Sequence, residues 1–302
     1  MRSYILAHYD AEQRRLAALL EEAGAALGAH FGVGADPTAP DGDVLRGRFA
    51  GTGTVSWTGD QAWNAKFTAR DLDLAVVRPD LPGRVSAVAT IDGRGFSPTS
   101  PWTARLASLS GTLAGRTLTG RGEVSHRDGN YGLRDVRIAH GPSHVDLNGR
   151  WGSTVDLSWS ADVRTLSLLH PDLEGQLVST GRARGSSSRP TVEGELRARD
   201  LAVAGITVQS LDADVDVDAA DSRESRVDVR ATVIHLGPVE LDAARFGAHG
   251  RFAEHELALE FSSPGGGTQR LPGFEGRVGA RGAYEDAHRT WRGSLGQASF
   301  EF

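Results

Sequence analysis

Four aspartates at two-residue spacing, Asp212, Asp214, Asp216 and Asp218, are the densest set of potential ligands in the sequence. Carboxylate oxygens suit Ca²⁺, but a Ca²⁺ loop needs a Gly at its sharp turn and a bidentate Glu at its end, and neither stands here. Alternation with Leu211, Ala213, Val215 and Val217 instead puts the four on one solvated face of a strand. The ten His (His8, His30, His126, His140, His144, His170, His235, His249, His255 and His288) include no helical i, i+4 pair with a Glu base. His140 and His144 are four apart, but Gly141-Pro142 makes a turn between them. Gly93-Arg94-Gly95 and Gly120-Arg121-Gly122 are too short to cradle a phosphate and precede no helix. Ser186-Ser187-Ser188-Arg189-Pro190 reads as a hairpin loop. No nucleophile stands beside a base in a recognisable motif. The sequence therefore predicts no catalytic residue, no metal site, no cofactor and no enzyme.

Composition narrows the field further. The chain has 302 residues, of which 38 are Gly, none is Cys and one, the first, is Met. Usual Gly content is nearer ~7 %, so the backbone turns often. Without sulfur ligands, a disulfide scaffold and a thiolate metal site are excluded. The formal net charge of −6 excludes a general nucleic-acid coat, which needs basic excess over phosphate. Mean hydropathy is −0.31, and no stretch approaches the ~20 apolar residues of a membrane span. Asp10, Glu12, Arg14, Arg15, Glu21 and Glu22 interrupt any secretory h-region at the N-terminus.

The elements that must carry any function are strands. Apolar and polar residues alternate in Leu211–Asp218, Val227–Val233, Leu257–Phe261, Val145–Asn148 and Val155–Ser160. Each segment has one greasy and one wet face, the mark of antiparallel sheet. Turn signals at Asp92-Gly93, Asp128-Gly129-Asn130, Asn148-Gly149, Gly185 to Pro190 and Gly265–Gly267 recur about every 8–12 residues, giving roughly seventeen candidate strands between Val44 and Phe300. Leu16, Leu19, Leu20, Ala23, Leu27 and Phe31 fit one amphipathic helix ended by Gly32, Gly34 and Pro37. A second helical turn is expected near Leu166 to Leu169. Ala69-Arg70-Asp71-Leu72 recurs as Ala198-Arg199-Asp200-Leu201 without a fixed short period, which argues against a propeller or β-helix.

So many one-sided strands cannot stay a flat sheet in water. With aromatics at 7 %, a packed sandwich lacks filler, and a smooth aliphatic lining suits a channel. The expected fold is all-β: an elongated antiparallel sheet curled into an open hydrophobic groove, with one N-terminal amphipathic helix. Residues 1–43 form the helix and linker, capping the groove or a sheet edge, and 44–302 form the groove. Its expected lining is Val145, Leu147, Val155, Leu157, Trp159, Leu211, Val215, Val217, Val227, Val229, Val233, Leu257, Leu259 and Phe261.

Leu109–Gly122, Gly194–Leu201 and Leu211–Val217 resemble the TamB branch of the AsmA-like, bridge-like lipid transfer proteins, as do the Gly-x-Leu-x-Gly-Arg-x-Leu-x-Gly cadence of the first and the closing Thr290–Leu295, over about Val44 to Phe302. The resemblance implies a β-taco in the periplasm, inner-membrane anchored in the full-length parent, with this chain an internal piece. It implies a groove carrying phospholipid acyl chains between inner and outer membranes. The alternative it implies is a scaffold for outer-membrane protein translocation and assembly, working with an Omp85-type barrel. Inner and outer membranes would be contacted through regions outside this chain, and nucleic acid is no partner. An acyl chain in water costs ~0.8 kcal/mol per methylene, so a continuous greasy track would remove most of the barrier to transfer.

Overall fold

The computed structural model describes residues 41–44, 46–76, 82–97, 99–168, 170, 172–237, 239–264, 273–285 and 290–302. The helix expected over Leu16–Phe31 and the Gly265–Gly267 tract lie outside them. The described chain is one sheet of seventeen strands: β1 (Asp41–Val44), β2 (Gly47–Val55), β3 (Ala62–Asp73), β4 (Gly83–Arg94), β5 (Trp102–Leu113), β6 (Arg116–Arg127), β7 (Asn130–His140), β8 (Ser143–Trp151), β9 (Thr154–Val163), β10 (Leu173–Ser186), β11 (Arg189–Val203), β12 (Ile206–Asp218), β13 (Ser225–Leu236), β14 (Val239–Arg251), β15 (Glu254–Ser263), β16 (Phe274–Glu285) and β17 (Thr290–Glu301). Every pairing is antiparallel and joins strands consecutive in sequence. The sheet is an open meander with β1 and β17 at its edges. The expected helical turn is a single 3-10 turn at Leu166–Leu168, between β9 and β10.

Two expected turns are strand instead. Asp92-Gly93 lies inside β4 and Asn148-Gly149 inside β8. A Cβ on Gly93 would fall inside the ring of Trp63, its cross-strand partner, so the glycine makes room for an indole rather than a reversal. Asn148 serves a bulge: its Oδ1 accepts the Asp135 backbone N–H at 2.7 Å. Asp135 is the left-handed residue of a register shift in β7, with φ 48.

Such bulges account for the repeated phrase. Asp71 and Asp200, the third residues of its two copies, both adopt left-handed φ, at 56 and 51. Short polar side chains tolerate this conformation best after Gly. In β3 the Asp71 N–H is caught by Ser86 Oγ at 3.1 Å. Bulges bend strands and increase twist, so the repeat marks corresponding bends in β3 and β11.

The core is thin. Among the described residues ten apolar residues are buried, eight of them toward the strand ends joined by the β3–β4, β5–β6, β9–β10, β11–β12 and β13–β14 connections: Ala69, Val85, Leu118, Val163, Leu166, Ala198, Val208 and Ile234. The chain exposes 19851 Å², against roughly 12,000 Å² for a compact monomer of this mass.

Candidate functional site: an uncovered apolar face

Cross-strand partners point to the same side of a sheet, so the register can be followed from strand to strand. Gly42 pairs with Phe49, Phe49 with Ala69, Ala69 with Ala87, Ala87 with Leu109, Leu109 with Gly120 and Gly120 with Ile138. Ile138 pairs with Val145, and the path continues through Ala161, Ser179, Leu196, Ala213 and Val229. Phe246, Leu259, Val278 and Ala298 carry it to β17. This row crosses all seventeen strands with one polar member, Ser179, whose hydroxyl accepts the Trp159 indole N–H at 3.0 Å. At ~4.8 Å between strands it is about 80 Å long.

A second row runs beside it. Gly51, Phe67, Ala89, Leu106 and Gly122 are successive partners on β2 to β6. The β6–β7 register shifts here, and the space above Gly122 is filled by Val136. Val136, Leu147, Trp159, Gly181, Gly194 and Val215 continue the row, followed by Val227, Ala248, Leu257, Ala280 and Leu295. It contains no polar side chain. Leu157 and Val217 belong to a third row through Ala183 and Val192. Leu211 and Phe261 belong to a fourth through Ala231 and Ala244. Val155 pairs with Gly185 on the same face.

All the expected lining residues except Val233 therefore stand in register on one face. Val233 is left out of both adjoining ladders, at φ 45, and Ile234, 7 % exposed, takes the paired apolar position beside Val208. Among the described residues no second layer covers the face. Along the rows Ile138 is 48 % exposed, Phe246 37 %, Leu259 39 % and Leu295 73 %.

The opposite face is charged and tied by cross-strand ion pairs, including Arg137–Asp146 at 3.6 Å, Arg197–Asp212 at 3.5 Å, Arg277–Glu260 at 2.8 Å and Arg281–Glu256 at 2.8 Å. Exposed pairs of this kind each contribute little, about 0.2–1 kcal/mol, but they keep this side wet. Hydrogen bonds from the Arg223 and Arg226 guanidinia hold the Asp216 and Asp228 carboxyls, respectively, below their usual range. Among the described residues no group of three His, Asp or Glu is placed to hold a metal ion.

Asp218 departs from the solvated role its spacing suggests. It is 1 % exposed and organises the β12–β13 loop. Its Oδ2 accepts from Ser222 Oγ at 2.5 Å, Ser222 N at 2.9 Å and Arg223 N at 2.9 Å, and its Oδ1 accepts from Ala220 N at 3.1 Å. The Ser222 hydroxyl, then the three backbone N–H groups, bring its pKa down to about 2 against the opposing effect of burial.

The Ala and Gly members of the rows, especially on β2 to β7, were not among the expected lining residues. Their signal was present as small residues every second position, as in Ala65-x-Phe67-x-Ala69 and Ala87-x-Ala89-x-Ile91.

No solved structure matches the chain. A family model described as TamB, N-terminal domain, matches residues 40–302, which takes in the whole described sheet, and the chain belongs to the TamB family.

Proposed function

We propose that the apolar face is a track for phospholipid acyl chains, within a periplasmic protein that connects inner and outer membranes. The family is one of the cell envelope. The observation that supports the reading is the unbroken apolar row over seventeen strands, uncovered among the described residues. An aliphatic surface in water costs about 25 cal/mol per Å², so an apolar occupant is stabilised there without covalent chemistry. A row without a charged member offers no deep well along its length, and an acyl chain slides from strand to strand at nearly constant free energy.

The test is uptake. Purified chain incubated with vesicles of phosphatidylethanolamine and phosphatidylglycerol, then separated by size exclusion, should carry phospholipid. Absence of lipid in the protein fraction, with capture of unfolded outer-membrane polypeptide instead, would favour the scaffold reading.

A further inference from the structure

The two long margins of the sheet differ in chemistry. Trp57, Trp63, Trp102, Trp151 and Trp291, five of the six Trp in the sequence, stand in or within two residues of the β2–β3, β4–β5, β8–β9 and β16–β17 hairpins. Those hairpins share one margin, where Tyr131 and Tyr284 also stand. The other margin, among the described residues, carries Phe274 and Phe300 but no Trp or Tyr. Most of the buried apolar residues lie toward that other margin.

The indoles divide by partner. Trp63 donates to Gly95 O at 2.9 Å and Trp291 to His255 Nε2 at 2.8 Å. Trp57, Trp102 and Trp151 have no protein acceptor among the described residues, and Trp57 and Trp151 are 68 % and 53 % exposed. His126 stacks between Trp102 and Tyr131, with ring centroids 6.0 and 4.9 Å away, and Tyr131 pairs with Trp151 across β7 and β8, which places these rings in one neighbourhood.

Indole and phenol rings collect where an apolar phase meets water. Resting on the reading of the face as a phospholipid track, the geometry points to the Trp margin as the headgroup margin. A bound phospholipid lies along the strands, its headgroup at Trp102 and Trp151 and its acyl chains over the rows. One leaflet of hydrocarbon is about 15 Å deep, roughly five strand residues, which reaches from Trp151 past Leu147. All cargo then travels with one orientation.

Two full-length single-Trp proteins test this, one keeping Trp151 and one keeping Trp159, with the other Trp replaced by Phe. Each is mixed with phosphatidylglycerol bearing a nitroxide either on the headgroup or near the acyl terminus. The headgroup label should quench Trp151 severalfold more than Trp159, and the acyl label should reverse that order. Equal quenching by the headgroup label, or stronger quenching of Trp159, overturns the margin assignment and leaves the track standing. No quenching by either label removes the track and this proposal together.

Discussion

The indole of Trp159 packs against Gly181, its direct partner across β9 and β10, and a Cβ on Gly181 would clash with the ring. The same arrangement joins Trp63 to Gly93 and Phe261 to Gly276. The glycine leaves room for a bulky ring within the row. Gly181→Val should therefore lift Trp159, costing about 1–3 kcal/mol as overpacking. Urea unfolding would read the loss, and Trp159 emission would shift to the red; an unchanged spectrum would contradict the packing.

Asp218 makes stability depend on acid. Its folded pKa of about 2 lies below the usual aspartate value of 3.8, so the folded state favours the ionised form. That contribution is complete above about pH 4 and is lost as pH falls from there toward 2. Asp218→Asn should lower the urea midpoint at pH 6 and reduce the acid sensitivity between pH 4 and 2. Parallel pH profiles for the two proteins would count against the role assigned to the β12–β13 loop.

Charge placed in the row should block cargo. Val229→Arg puts a guanidinium into the row on β13, and a charge in hydrocarbon costs about 3 kcal/mol, roughly a hundredfold in occupancy. Asp214→Arg, on the wet face of the neighbouring strand β12, should leave lipid uptake near that of the parent. Equal uptake by both variants would show that the face does not discriminate.

The bends depend on residues that accept left-handed φ. Asp71→Val and Asp200→Val force a β-branched side chain into that region, at about 1–2 kcal/mol each, whereas Asp71→Gly and Asp200→Gly should be tolerated. Thermal unfolding that ranks Val no lower than Gly at both positions would contradict the bulge assignment.

Much of this fold was legible because Asp and Val alternate so strictly. Leu211–Asp218 and Val227–Val229 announce their two faces by chemistry alone, and the side-chain period of two does the rest. The rows on β2 to β7 were harder to see, since Gly51, Ala69, Ala87 and Gly120 contribute little hydrophobic signal and count only once register aligns them. Val233 was misplaced from the pattern because a single left-handed residue shifts the alternation, and nothing in Thr232-Val233-Ile234 marks the bulge. Gly93 and Gly149 read as turns because a glycine that makes room for a neighbour looks the same in sequence as one that reverses the chain. The Trp margin was invisible for a geometric reason: Trp57, Trp102, Trp151 and Trp291 share a margin only through which hairpins lie side by side.

Native mass spectrometry of the purified chain, released from a lipid-containing extract, addresses the track most directly. It should show phospholipid masses retained on the parent and on Asp214→Arg, and lost from Val229→Arg. A parent chain that flies without lipid, or a Val229→Arg chain that carries as much as the parent, would contradict it.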